Sequence, residues 1–146
     1  MSTTGDSAIA RGDAVARYRA ASEANDIGTL IGALSDDIEV VSPISGRMVF
    51  RGREDVRIVF AAVYSSLSGL RWRGEMGDDR VRTLIGDARI GPLALGDVTI
   101  VHLDDDGRIR RLSPHVRPWL ALSAFALALA PRVARHPSLI LRALRG

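Results

Sequence analysis

The stretch of sequence that decides the fold is residues 70–116, LRWRGEMGDDRVRTLIGDARIGPLALGDVTIVHLDDDGRIRRLSPHV. From Leu70 to Met76 it alternates residue by residue between Leu, Trp, Gly or Met and a charged side chain, the period of a half-buried β-strand. Gly, Asp and Pro clusters that are typical of tight turns follow at residues 77–79, 91–92 and 104–107. The pattern predicts a four-stranded antiparallel meander whose third strand runs from Leu93 to Leu103.

The sequence before this stretch has mostly helical periodicity. Residues 8–24 are rich in alanine and carry one apolar stripe, and Asp26 then provides a cap for a second short helix. Two β-rich segments follow at residues 38–42 and 48–50, and apolar residues recur at spacings of three and four from Val56 to Leu67. Helices that precede a run of hairpins are typical of an α+β domain.

The composition excludes several kinds of chemistry. The chain of 146 residues fits one domain, contains no cysteine, and has 20 basic residues that are all arginine. Thiolate nucleophiles, cysteine metal sites and Schiff-base lysines are therefore excluded. The three histidines are scattered, without carboxylates at ligand spacing, so we predict no metal site and no cofactor.

The positive charge is concentrated at the end of the chain. Residues 1–117 hold 16 arginines against 17 acids, whereas residues 118–146 hold four arginines and no acid. Because charges of both signs are interleaved in the first part, we predict no nucleic-acid partner. Residues 1–6 lack the basic and apolar regions of a signal peptide, which predicts a cytoplasmic protein.

Short motifs in a fixed order suggest a family. They are Arg17-Tyr18-Arg19-Ala20-Ala21, Asn25-Asp26, Asp36-Asp37-Ile38-Glu39-Val40, Phe50-Arg51-Gly52-Arg53 and Asp106-Gly107-Arg108-Ile109. With these motifs the chain resembles the nuclear transport factor 2 (NTF2)-like superfamily, in particular its SnoaL-like polyketide cyclase and ketosteroid isomerase-like branch. The resemblance implies a curved sheet wrapped around helices, a conical apolar cavity, and a homodimer formed through the outer sheet face.

The resemblance also implies roles for two residues. Tyr18 falls where steroid isomerases carry a tyrosine that donates to the substrate oxyanion, although packing of the first helix is an alternative role. Ser42 falls where those isomerases keep an aspartate general base. Serine cannot act as a base near neutral pH without a histidine partner, so the usual isomerase mechanism is disfavoured.

Asp97 is the second candidate for catalysis. By strand alternation it shares a face with Leu95, Thr99, Val101 and Leu103. If that face lines the cavity, burial would raise the pKa of the carboxyl group toward the range of a useful acid or base. The alternative is a strand-end aspartate in solvent. The resemblance places Thr99, rather than Asp97, at the isomerase acid position.

The other candidates are weaker. Asp87 and Arg89 share one strand face and can form an ion pair or clamp a polar ligand group, with a surface pair as the alternative. His102 and His115 are predicted to be cross-strand neighbours on the outer face. The predicted catalytic residues are Asp97 and Tyr18, and the predicted ligand-binding residues are Trp72, Phe60, Ser42, Arg89, Thr99 and Val63.

Residues 118–146 form an apolar, arginine-rich tail within the same structural unit as the domain of residues 1–117. The apolar run from Trp119 to Ala130 would be about 18 Å long as a helix, too short for a bilayer core of roughly 30 Å. Pro131 is predicted to break it and Pro137 to start a second helix. The tail can cap the cavity, build a dimer or lie on an anionic membrane. Packing within a protein dimer or over the cavity is favoured, because the first helix of the tail has no polar face.

These observations predict a protein that binds an apolar small molecule in a cone-shaped cavity. A cofactor-independent isomerase, cyclase or hydrolase is the activity that the resemblance suggests. A non-catalytic ligand-binding or dimerisation module is the alternative.

Overall fold

The computed structural model describes residues 14–145, which form five helices and six strands. The helices are α1 (residues 14–23 of the described part), α2 (Ile27–Gly32), α3 (Arg53–Ser66), α4 (Trp119–Val133) and α5 (Pro137–Leu144). The strands are β1 (Leu34–Val41), β2 (Val49–Arg51), β3 (Ser68–Gly77), β4 (Val81–Ile90), β5 (Leu93–Leu103) and β6 (Ile109–Arg117). The part of the first predicted helix before residue 14 lies outside the described residues.

The strands form one curved sheet in the order β2-β1-β6-β5-β4-β3. Strands β3 to β6 pair as consecutive antiparallel neighbours, so the predicted meander and the α+β class are confirmed. Strand β1 lies parallel to β6 and antiparallel to β2. This parallel pairing brings the two N-terminal strands beside the last strand of the meander and completes the sheet.

One face of the sheet packs on the helices. Along β5 the side chains of Leu95, Thr99, Val101 and Leu103 are buried, whereas Val98 between them is exposed. The shared face that alternation predicts for β5 is therefore confirmed. Apolar side chains with 2% exposure or less fill the space between this face and the helices: Val15, Leu30, Leu34, Ile38, Val56, Leu84, Val101, Leu103, Ile109 and Leu112.

The alternation predicted for β3 holds only for its first half. Trp72 pairs with Gly86, but the register then shifts so that Gly74 pairs with Ile85. This irregularity moves Met76 to the outer face, where it is 57% exposed. It also turns Glu75 toward α1, where its carboxylate accepts a hydrogen bond from Arg19 at 3.3 Å.

The C-terminal tail packs against the domain. Ala121 and Phe125 of α4 and Leu139 of α5 are buried in the common core. Two hydrogen bonds of 2.8 and 2.9 Å link the Arg142 guanidinium to the Asp55 carboxylate on α3. The prediction that Pro131 breaks the first tail helix is wrong, because α4 continues to Val133 and Pro131 lies within its last turn. Among the described helices, none is long and apolar enough to cross a membrane.

Candidate functional site

A cavity of about 460 Å³ lies between the inner sheet face and the helices. Its wall is mostly aliphatic and aromatic, with contributions from β1, α3, β5, β6 and the tail. Polar atoms enter it at a few places, from the side chains of Tyr18, Ser42, Tyr64, Asp97 and Thr99. An apolar space with a small number of polar groups is the usual form of a small-molecule site.

Two tyrosines from different helices meet in this cavity. The hydroxyl oxygens of Tyr18 on α1 and Tyr64 on α3 are 3.1 Å apart, and both residues are less than 10% exposed. Burial raises the pKa of both phenols above the ordinary value, so both stay protonated at neutral pH. The two hydroxyl groups have one proton each, and their mutual hydrogen bond uses one of them. The other proton is left for donation to a ligand.

The position of Tyr18 is supported by Trp72. Their rings lie 6.1 Å apart between centroids, and the indole N–H of Trp72 donates to the Ser22 hydroxyl at 2.9 Å. Gly86 faces the indole from the neighbouring strand, where a Cβ atom would come within 2.7 Å of the ring. Glycine at position 86 therefore allows Trp72 to lie flat against β4 and beside the first helix.

Asp97 is the one carboxylate among the described residues that line the cavity. Its Oδ2 accepts a hydrogen bond of 2.9 Å from the Thr99 hydroxyl, whereas its buried Oδ1 has no hydrogen-bond partner within residues 14–145. Burial raises the pKa of the Asp97 carboxyl group from 3.8 to about 6, and hydrogen bonds from the Thr99 hydroxyl and the His115 backbone partly oppose that increase. A buried acceptor without a partner is costly, so Oδ1 is an atom that a ligand or a proton can satisfy.

The Asp97 carboxylate and the phenols of Tyr18 and Tyr64 line the same largely apolar cavity. The charge of Asp97 adds to the effect of burial in raising the pKa of Tyr18 and Tyr64. A neutral phenol can polarise a carbonyl or enol oxygen, and a carboxylate with a pKa near neutrality can accept or return a proton. The arrangement suits proton transfer on an apolar ligand with one polar oxygen.

Ser42 lines the cavity near its mouth and has a structural role in the loop that follows β1. Its Oγ accepts hydrogen bonds of 3.2 Å from the backbone N–H groups of Ile44 and Ser45. The neighbouring Ile44 is 47% exposed and also lines the cavity, which places this loop at the rim. A hydroxyl that shapes a turn is a normal use of serine and supplies no base.

The structure brings together most of the residues that the sequence suggested. The cavity is lined by Tyr18, Ser42, Phe60, Val63, Trp72, Asp97 and Thr99. The prediction that Arg89 binds a ligand in the cavity must be corrected. Its side chain is exposed on the outer sheet face, where the guanidinium donates to the Pro92 carbonyl at 2.9 Å. Strand alternation is the reason, because the buried neighbours Ala88 and Ile90 take the inner positions.

The outer sheet face also holds the other polar candidates. Asp87 forms an exposed ion pair with Arg73 at 3.0 Å. The alternative of a surface ion pair is therefore correct for Asp87, although its partner is Arg73 and not Arg89. His102 and His115 both lie on this face, but they are not cross-strand neighbours, because His102 pairs with Arg111 and His115 pairs with Val98. Throughout residues 14–145, no group of three or more His, Asp or Glu side chains could hold a metal ion.

Two groups of cavity-lining residues were not named by reasoning from the sequence. Tyr64 lies four residues after Phe60 on α3, so its place on the apolar stripe of that helix was a usable signal. The tail supplies the other part, because Phe125, Leu129 and Val133 of α4 line the cavity. Of the three alternatives for the tail, capping the cavity therefore describes one face of α4.

Solved structures with similar folds were found, but sequence comparisons gave no match. No protein-family model matches the chain, and no curated protein matches it. A conserved bacterial protein with a cystatin-like fold from Silicibacter pomeroyi DSS-3 is 23% identical, with a TM-score of 0.82 over 89% of this chain and 93% of that chain. A steroid delta-isomerase from Pseudomonas aeruginosa is 22% identical, with a TM-score of 0.79 over 88% and 95%.

A protein from Shewanella denitrificans OS-217 that is described as a SnoaL-like polyketide cyclase is more distant. It is 12% identical, with a TM-score of 0.63 over 81% of this chain and 97% of that chain. These likenesses show that the chain has the NTF2-like fold. At these identities they describe the fold and leave the chemistry to the residues of the cavity.

Proposed function

We propose that this protein binds an apolar, ring-containing small molecule with one carbonyl or hydroxyl oxygen. The observation that carries the proposal is the buried Oδ1 of Asp97, which has no partner in the described chain and lies in an otherwise apolar cavity beside two neutral phenols. A ligand oxygen can accept the free phenol proton while its rings contact the apolar wall. The volume of about 460 Å³ is within the usual range for small-molecule sites.

The proposed chemistry is cofactor-independent proton transfer at a carbon next to the ligand oxygen. Tyr18, supported by Tyr64, would donate to the oxygen as negative charge develops, and Asp97 would remove or return the proton. The steroid delta-isomerase and the SnoaL-like polyketide cyclase among the similar structures support fused-ring ketones as the first compounds to test. Isomerisation through an enol and aldol-type cyclisation both include such a step.

A non-catalytic binding protein is the second candidate, and a specific observation favours it. Asp97 is the single carboxylate of the described cavity lining, and the position of the isomerase base holds Ser42, whose hydroxyl is occupied in a turn. A carrier needs only the phenols and the apolar wall. Loss of Asp97 would then change neither affinity nor any rate.

A tyrosine substitution tests the binding mode. We expect Tyr18→Phe to weaken the binding of a neutral steroid ketone about three- to tenfold, because one hydrogen bond to a ligand contributes about 0.5–1.5 kcal/mol. The matched steroid hydrocarbon, which lacks the carbonyl, should bind both proteins equally. Binding can be followed by the fluorescence of Trp72, which lines the cavity, in a Trp119→Phe background that leaves Trp72 as the one remaining tryptophan.

Two results would contradict the binding proposal. One is the absence of saturable quenching by every fused-ring ketone in the series. The other is an equal loss of affinity for the ketone and for the hydrocarbon, which would indicate that Tyr18 acts only through packing. Circular dichroism of Tyr18→Phe provides the control for folding.

We also propose a homodimer through the outer sheet face. Met76, Val81, Ile85 and Val98 on this face are each more than a third exposed. Burial of such a patch against the same patch of a second copy is the usual arrangement of a symmetric dimer. The cavity opens on the opposite side of the sheet, so this contact would leave ligand entry free.

A further inference from the structure

The tail has a second apolar face that is exposed rather than packed in the core. On α4, Trp119 and Leu127 are both 76% exposed and Leu120 is 52% exposed. A helix of 3.6 residues per turn places Trp119, Ser123, Leu127, Ala130 and Ala134 on one side, and all five are exposed. We call Trp119, Leu120, Ser123, Leu127, Ala130 and Ala134 the outer stripe.

The outer stripe is on the opposite side of the helix from the residues of α4 that are buried in the core. Ala121 and Phe125 are buried at 1% and 4% exposure, so α4 is apolar on both its inner and its outer side. Helix α5 also has exposed apolar side chains, Leu141 and Leu144, which are 56% and 54% exposed. A helix that leaves large apolar side chains in water on one complete face is typical of an interaction surface.

The charge of the tail indicates which kind of partner the outer stripe can bind. Residues 118–146 contain Arg132, Arg135, Arg142 and Arg145 and no acid. Arg142 is paired with Asp55, while Arg132, Arg135 and Arg145 are exposed. Apolar residues with a tryptophan at one end and arginines at the other are the composition of helices that lie in the headgroup region of anionic membranes.

A second copy of the chain is a poorer match for the same surface. In a symmetric contact the stripe would face itself, so the arginines of one copy would approach those of the other without any acid of the tail to neutralise them. Anionic lipid headgroups supply the missing negative charge. We propose that the outer stripe and the tail arginines dock this protein on an anionic lipid bilayer.

The cavity mouth lies at the same place as the stripe. Ala130 and Ala134 are exposed members of the outer stripe and also line the cavity. The apolar surface is therefore continuous from the stripe to the cavity rim, and docking would bring the mouth to the bilayer. This geometry would allow an apolar ligand to exchange between the bilayer and the cavity. Ligand exchange rests on the proposed ligand binding, whereas the docking does not.

Vesicle binding tests the docking with the full chain. Vesicles of phosphatidylcholine alone and with added phosphatidylglycerol are sedimented with the protein at low and at high salt. We expect binding only to the vesicles that contain phosphatidylglycerol, weakened by salt, with a blue shift of tryptophan emission. Trp119 would cause the shift, because Trp72 is already buried at 6% exposure; the shift should therefore be lost in Trp119→Phe.

Substitutions outside the cavity lining distinguish the two parts of the surface. Leu127→Gln is expected to lower vesicle affinity on the order of tenfold. Arg132→Gln with Arg135→Gln should lower it about fivefold for each arginine removed. Arg108→Gln removes an exposed arginine from the turn between β5 and β6, outside the tail; it is the control and should bind nearly as the unsubstituted protein does.

Three outcomes would overturn the proposal. The first is no sedimentation with either kind of vesicle, and the second is binding that does not depend on phosphatidylglycerol or salt. The third is a change of molecular mass from dimer to monomer in Leu127→Gln, which would make the stripe a contact between copies. Melting curves of the variants check folding, and steroid binding by the same variants separates a failure of docking from a failure of ligand binding.

Discussion

Replacing Asp97 by asparagine is expected to lower the rate of proton transfer on a bound ketone by about 10²–10⁴-fold, with ligand affinity nearly unchanged. Asparagine keeps the shape of the side chain and can still accept the hydrogen bond from Thr99, but it cannot take up a proton near neutral pH. The measurement is the exchange of hydrogen for deuterium next to the carbonyl of a bound steroid ketone in D₂O, followed by NMR. This readout requires no knowledge of the natural product.

The pH dependence gives a second signature of the same residue. Burial raises the pKa of Asp97 to about 6, so the base form increases as the pH rises through 6. The exchange rate of the unsubstituted protein should therefore rise with pH and level off above about pH 7. The residual rate of Asp97→Asn should lack this inflection.

Asp87→Asn is the matched control for the loss of a carboxylate from this sheet. Asp87 lies beside Gly96 on the neighbouring strand, faces the outside and is paired with Arg73. The variant should exchange the ketone at the normal rate. An unchanged rate in Asp97→Asn, or an equal loss in both variants, would contradict the role of Asp97 and favour the non-catalytic binding protein.

Local sequence patterns were sufficient to predict the inner face of β5. Its eleven residues alternate without a bulge that would move Asp97, so period-two reasoning places Asp97 with Leu95, Thr99 and Val101. The same reasoning failed in the second half of β3, where the register shift after Trp72 exchanges the faces of Gly74 and Met76. A bulge adds one residue to one strand, and sequence periodicity alone does not reveal where it occurs.

The rest of the site depends on contacts between distant parts of the chain. Tyr18 and Tyr64 are 46 residues apart, and their hydrogen bond requires α1 and α3 to pack side by side over the sheet. Whether the Arg89 side chain lies on the inner or the outer face of the sheet depends on how β4 pairs with β3 and β5. The orientation of the tail could not be predicted either, because the sequence of a helix that is apolar all round does not show which face the domain will cover.

Asp97→Asn is also expected to gain stability relative to the unsubstituted protein as the pH rises from about 4 to about 8. The folded-state pKa of about 6 lies above the ordinary value of 3.8, so ionisation of Asp97 opposes folding. The protonated carboxyl group of Asp97 therefore contributes to stability. This contribution is complete below pH 4 and is lost as the pH rises through 6. The difference in pKa from 3.8 to about 6 corresponds to about 3 kcal/mol.

Urea unfolding of both proteins at a series of pH values measures this difference. Subtracting the two free energies of unfolding cancels the titration of every other carboxylate, so the remaining pH dependence belongs to Asp97. Asp87→Asn should show no such gain, because the side chain of Asp87 is exposed and paired with Arg73 on the outer sheet face. A difference for Asp97→Asn that stays constant between pH 4 and pH 8 would mean that Asp97 is hydrated in the empty cavity. A gain of about 3 kcal/mol would instead indicate that the fold holds a destabilised carboxylate where a ligand can reach it.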